Sequence, residues 1–183
     1  MNFASCKRDR LQVKCSFHTV VAKPLRMTLT IDRADARILD ALQKDGSLSV
    51  AQLADRCGMT GTTAWRRLQR LEEGGAIKAR VALLDRRVLG LNVIVFAEVK
   101  LSTTGREALA VFEKAIQRFP EVLDCYTVMG EKDFLLRIVV PSIEAYEAFF
   151  LDHLSRIPGV QAINSMIALS VIKESTVLPL QTR

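Results

Sequence analysis

Histidine and cysteine are scarce in this chain of 183 residues, with two and four copies. The cysteines, Cys6, Cys15, Cys57 and Cys125, form no CxxC pair. Together with His18 and His153 they give neither a zinc-ligand spacing nor a disulfide framework, so no metal site is expected and the thiols read as those of a cytosolic protein. Long apolar runs are missing too. The chain is 49% apolar, yet no stretch approaches the roughly 20 residues that span a bilayer, and an oligomer that hides the extra apolar surface fits better. A catalytic constellation is also lacking. No P-loop or nucleophile elbow occurs, His153 falls on a helix without a fixed partner, and Cys125 falls in a strand, where a buried structural thiol is expected. The chain is not expected to be an enzyme, nor to need a cofactor.

The net charge of +6 suggests a nucleic-acid partner until it is divided along the chain. Residues 1–27 carry 6 basic and 1 acidic residue, 28–80 carry 9 and 7, and 81–183 carry 11 and 12. Most of the excess therefore sits in the first stretch, and individual arginines have to carry the case for DNA. Residues 1–27 have no apolar core for a secretory signal and faintly resemble an organellar transit peptide. With Met27 just before the first helix signal, an upstream extension and a functional basic arm are equally compatible readings. The segment is expected to be a disordered basic extension.

Three short helices follow. Asp32 is a good N-cap for a helix reaching about Lys44, with Ile38, Leu39 and Leu42 on one face and Gly46 past its end. Ser49 caps a second helix, where Val50, Leu53, Ala54 and Cys57 form a narrow stripe and Gly58 is the stop. Thr60 caps a third, in which Ala64, Leu68 and Leu71 recur at core spacing before Gly74 and Gly75. Only Gly58 and Met59 separate the second helix from the third, the tight glycine-containing corner of a helix-turn-helix. Opposite the core stripe, Thr63, Arg66, Arg67 and Arg70 fall at i, i+3, i+4 and i+7, with Thr62 near the helix start. Arginine binds guanine O6 and N7 bidentately or clamps phosphate, and threonine offers a hydroxyl and a methyl. An arginine stripe alone is more often a solvated face; the corner before it favours DNA. Trp65 is expected to pack against an apolar wall.

Residues 77–84 read as a strand and 86–91 as a connector turning at Gly90. From Val93 the order is strand 93–101, helix 104–118, strand 122–129, strand 133–140, helix 143–156 and strand 160–172, a βαββαβ, ferredoxin-like arrangement. Its helices should bury Leu109, Phe112, Ile116 and Phe119, and Tyr146, Phe149, Phe150, Leu154 and Ile157. Two helices cover one face of such a sheet. Residues 93–97, 134–136 and 166–169 are apolar on both faces, so a second chain is expected on the open face. The fold class expected is α+β, an N-terminal winged helix-turn-helix of three helices joined to a C-terminal ferredoxin-like domain. The expected boundaries are 1–27 for the extension, 28–80 for the DNA-binding domain, 81–91 for a linker, 92–175 for ligand sensing and oligomerisation, and 176–183 for a tail.

Between about Ile31 and Ser175 the chain resembles the Lrp/AsnC family of transcription regulators. The resemblance rests on Ile31-Asp32, on the run from Thr60 to Ile77, on Gly130-Glu131-Lys132-Asp133-Phe134, on Pro158-Gly159-Val160, and on Ser165 to Leu169 with Lys173. Thr60 in place of a serine, and Gly74-Gly75 in place of an acidic residue and glycine, are modest departures. The resemblance implies a sequence-specific regulator of amino-acid metabolism that binds double-stranded DNA. It also implies homodimers built through sheets and gathered into octamers or similar discs, with a small amino-acid effector between dimers. Carried over by position, the effector site falls on Thr127, Gly130, Asp133, Ile143, Met166, Ile167 and Ala168. Asp133 can pair with a ligand ammonium and Gly130 permits close backbone approach; a plain tight turn and interface core explain the same residues. Residues 173–179 resemble a branch that responds to small or sulfur-containing amino acids. Two rivals remain: an enzyme regulated through such a domain, and an architectural protein that coats DNA with little sequence preference.

Overall fold

The computed structural model describes residues 29–103 and 105–180. These divide into two compact units, 29–80 together with 177–180, and 81–176. The extension expected over 1–27 lies outside the described residues.

The first unit is three helices, α1 (Arg33–Lys44), α2 (Val50–Cys57) and α3 (Gly61–Glu73). Each opens on a residue whose side chain satisfies a free backbone donor. The Asp32 carboxylate accepts the Asp35 N–H at 2.8 Å, and the Asp35 carboxylate accepts the Asp32 N–H at 3.1 Å. Ser49 and Gln52 make the same reciprocal pair at α2. Gly58 ends α2 in the left-handed region at φ 63°, which a residue with a Cβ enters only at a cost. The Met59 N–H then closes on the Ala54 carbonyl at 3.0 Å. Thr60 caps α3 through the Thr63 N–H. The stripes expected from spacing meet in one core of Ile38, Leu42, Leu53, Cys57, Leu68 and Leu71.

The second unit contains β1 (Val93–Leu101), α4 (Arg106–Ile116), β2 (Val122–Thr127), β3 (Phe134–Val140), α5 (Ile143–Asp152) and β4 (Val160–Ile167). A short 3-10 turn, Leu154–Arg156, follows α5. The sheet order β2-β3-β1-β4, with every pair antiparallel, is the ferredoxin-like topology expected for βαββαβ. Alternate residues of β1 and β3, from Val95 to Leu101 and from Phe134 to Val140, turn to the helices and are buried with Phe112, Ile116, Tyr146, Phe149, Leu154 and Ile157. Phe112 stacks on Phe134 with ring centroids 4.4 Å apart. Burial of each such aromatic contributes about 2–3 kcal/mol, which anchors α4 to the sheet. Leu109, Phe119 and Phe150 are only partly buried at the edge of this core.

Two expected strands are corrected. No strand forms over 77–84, where Val81, Leu83 and Leu84 are exposed. A lone strand has no ladder to join, and its β-forming residues cannot supply one. β4 ends at Ile167 rather than near 172. Its partner β1 begins at Val93, the Ala168 N–H reaches the Ile94 carbonyl at 2.9 Å, and beyond that link the partner strand runs out.

The open face is less apolar than expected. Ile94, Phe96, Leu135, Val139 and Met166 lie there, but so do Glu98, Lys100, Asp124, Arg137 and Asn164 by register. Arg137 pairs with Asp124 at 2.5 Å and with Glu174 at 3.5 Å, and Asn164 donates to Glu98 at 3.1 Å. The chain's own segment 170–175 lines two grooves with Phe96 and Arg137 on this face.

Candidate nucleic-acid interface and effector positions

Successive residues of α3 turn by about 100°. With Ala64, Leu68 and Leu71 buried, the positions most nearly opposite the core are Thr62, Arg66 and Glu73, all exposed. The outward stripe is therefore rotated from the expected one. Thr62 and Arg66 are exposed, and no hydrogen bond or ion pair engages the Arg66 side chain among the described residues. Thr63 is half-buried and its hydroxyl accepts from the Thr60 hydroxyl at 2.8 Å. Trp65, expected to pack, is 56% exposed, because it lies a quarter-turn from the core stripe.

Arg67 and Arg70 are engaged elsewhere. Arg67 Nη1 reaches Asp32 at 2.7 Å and Asp35 at 2.8 Å, and Arg70 Nη2 also bonds the Asp35 carboxylate. Asp35 is fully buried, whereas the Arg67 and Arg70 side chains are 25% and 45% exposed. The Asp35 N–H, followed by the Arg67 guanidinium, holds the Asp32 carboxyl down at about 2. The same two carboxylates raise the Arg67 pKa above its ordinary value. Sequence reasoning missed this cluster, although a signal was present. Asp35 stands three residues before Ile38 and seven before Leu42, on the buried stripe of α1, and a carboxylate at a core position requires a charged partner.

The expected effector positions fall into two groups. Thr127, Gly130 and Asp133 belong to the β2–β3 hairpin, where Gly130 has φ 146°. The Asp133 carboxylate accepts the Leu101 N–H at 2.8 Å and lies 3.4 Å from Lys100 Nζ. Met166 and Ile167 pair with Phe96 and Val95 near the other end of β1, and Ala168 follows at Ile94. Ile143, 55% exposed, opens α5 just after Val140, which pairs with Val93 at that same end. From Leu101 to Val95 is six residues, or about 20 Å along a strand. One chain therefore does not bring the two groups together. Of the seven positions, Ala168 borders one of the two grooves described on the open face.

Cys125 lies on edge strand β2 and is exposed, not buried as expected. It stands opposite Leu136 on the helix side, where burial of the sulfur, with Glu113 adding, pushes the thiol up to about 11. A thiol so shifted is protonated and inert near neutrality.

These units match known families. Residues 31–78 match the model of a winged helix-turn-helix DNA-binding domain, and residues 94–178 that of the Lrp/AsnC ligand binding domain. The leucine-responsive regulatory proteins of Klebsiella pneumoniae and Escherichia coli K12 are each 35% identical over 153 residues, covering 84% of this chain and 93% of theirs. A transcriptional regulator of Neisseria meningitidis, solved as a complex with L-methionine, superposes with a TM-score of 0.78 at 33% identity, over 82% of this chain and 97% of that one. An AsnC family transcriptional regulator of Agrobacterium tumefaciens gives 0.77 at 41% identity, over 81% and 96%. With both units matched in order and the relatives spanned almost end to end, this chain belongs to the Lrp/AsnC family of transcription regulators.

Proposed function

We propose that this protein is a sequence-specific DNA-binding transcriptional regulator that controls genes of amino-acid metabolism in response to a small amino acid. The observation that carries the DNA half is the Gly58 corner, which presents on α3 an exposed arginine, Arg66, that no group among the described residues engages, with Thr62 beside it. Thr62, Thr63, Arg66 and Arg70 make up the proposed interface, with α3 in the major groove, while Arg67, which spacing also placed there, is tied to Asp32 and Asp35. The protein works by binding rather than catalysis, in the cytoplasm. Selection of bound sites from a random DNA pool tests this reading. A recurrent motif is the expected result, and uniform recovery of all sequences would instead indicate an architectural role.

The effector half draws support from the matched ligand-binding domain and from the Neisseria relative solved with L-methionine. Thr127, Gly130 and Asp133 of one copy and Ile143, Met166, Ile167 and Ala168 of another form the proposed pocket, because about 20 Å of strand separates the groups within one chain. Homodimers pair through the open sheet faces, where Phe96 and Met166 remain 37% and 45% exposed, and assemble further into octamers. Equilibrium sedimentation with and without amino acids checks the assembly.

A further inference from the structure

The three arginines of α3 differ in what already holds them. Arg66 is exposed and unpaired among the described residues, whereas Arg67 is shared between Asp32 and Asp35, and Arg70 gives one guanidinium nitrogen to Asp35. Asp35 is the one fully buried charged side chain among the described residues, and its bonds run to α3 and to the α1 cap. A buried carboxylate is tolerated only while its partners stay, and withdrawing one leaves an uncompensated charge in the core. For Arg67 to reach a base it would have to leave both carboxylates, and one bidentate base contact does not offset that loss. Arg66 gives up no contact with the described residues to enter the groove.

We infer that Asp35 is a positioning residue for DNA reading: it fixes α3 against α1 through Arg67 and Arg70 and withholds Arg67 from the bases, so that base selection falls to Thr62 and Arg66. The inference rests on α3 being the DNA-reading helix of the proposed function. Asp32 contributes a second anchor for Arg67 from the cap of α1, so the box that starts the first helix also orients the third. Arg70, 45% exposed and bonded through one nitrogen, keeps the rest of its guanidinium for a phosphate, a contact that positions without reading sequence.

The test uses the full chain and the DNA site recovered by selection. Affinity is measured for that site, for its single-base variants and for unrelated DNA, each as a function of salt, together with Tm. Arg66→Ala should lose about 5- to 150-fold in specific affinity and relax the preference at one base pair. Arg67→Ala should lower Tm and weaken binding evenly across the single-base variants, so that no one base pair loses its discrimination, and should keep the salt slope. The double variant Asp32→Asn with Asp35→Asn should lower Tm and, by removing both carboxylates that hold Arg67 and freeing it to meet a phosphate, steepen the salt slope by about 0.9, a change that loss of a merely structural contact would not produce. If Arg67→Ala does not fold, Arg67→Lys keeps a charge for Asp35 and should retain the wild-type base preference. The inference is overturned if either Arg67 variant loses discrimination at a base pair as Arg66→Ala does, or if the double variant of Asp32 and Asp35 leaves the salt slope unchanged. Should selection recover no motif, the specific-regulator reading fails on its own. The salt slopes and Tm values on unrelated DNA then decide the clamp separately.

Discussion

The Gln43 side-chain amide meets both backbone polar groups of Leu178: Nε2 donates to the Leu178 carbonyl at 3.1 Å, and Oε1 accepts the Leu178 N–H at 3.0 Å. A single side chain thus gives the C-terminal segment the two-bond pairing that a neighbouring strand would give it. Residues 177–180 join the helical unit rather than trailing from the sheet unit. Gln43→Ala should release the segment while leaving the α1–α3 core folded. Because both bonds are exposed, the loss in stability should be about 1 kcal/mol or less. Amide exchange checks this: Leu178 should lose its protection and Leu53 and Leu71 should keep theirs.

The legible parts of this molecule were those fixed by local rules. Asp32, Ser49 and Thr60 announce their helices because each precedes an apolar stripe, and β1 is legible to the residue because its run, apolar to Ala97 and alternating from Glu98 to Leu101, is bounded by Asn92 and Ser102. What escaped depends on groups far apart in sequence. Arg67 looks free until Asp35, 32 residues earlier, is placed beside it, and the Leu178 partner of Gln43 is 135 residues away. The strand expected at 77–84 failed for the same reason, since strand formation needs a partner that no local pattern supplies.

Acid should loosen the helical unit over a defined window. The Asp32 carboxyl is held down at about 2 from its ordinary 3.8, so its contribution to stability is present above about pH 4 and is lost as the pH falls through 2. Asp32→Asn retains an N-cap acceptor but has no charge to lose. The urea midpoint of the wild type should therefore fall more steeply between pH 4 and 2 than that of Asp32→Asn. Parallel curves would mean that the Asp32 charge adds nothing.

Gly58 tests the corner between α2 and α3. A Cβ built there meets nothing within 4 Å, so any cost of substitution is conformational rather than steric. At φ 63°, Gly58→Ala should cost about 1–2 kcal/mol, and Gly58→Asn less, because asparagine tolerates the left-handed region. Chemical denaturation of the wild type and the two variants gives the order. Equal stability of the wild type and Gly58→Ala would show that the corner relaxes out of the left-handed region.

The effector site proposed for this protein predicts complementation between two defective variants. Asp133 anchors the β2–β3 hairpin by accepting the Leu101 N–H at 2.8 Å, so a ligand ammonium would use the carboxylate's remaining capacity. Asp133→Asn keeps an oxygen for that N–H and removes the charge, so fold and ligand-free DNA affinity should stay near wild type while the response to amino acids is lost. Ile143 opens α5 at the other end of the sheet and is 55% exposed. Ile143→Glu places an acid at a helix N-terminus, where it suits the dipole, yet spoils an apolar wall for the ligand. Each variant alone should show no change of DNA affinity across a panel of amino acids that moves the wild type. If the hairpin of one copy and the α5 end of another share each pocket, assemblies formed from equal amounts of the two variants contain about a quarter of sites with both halves intact, and part of the response returns. A pocket contained within a single chain gives no recovery, because every chain carries one defect. By linkage, the effector changes DNA affinity only through its preference for one arrangement, so the restored response should scale with the intact sites. Recovery absent at every mixing ratio, with mixed assemblies demonstrated by differential labelling, would exclude the shared pocket, and a full response from Asp133→Asn alone would place the ligand away from the hairpin.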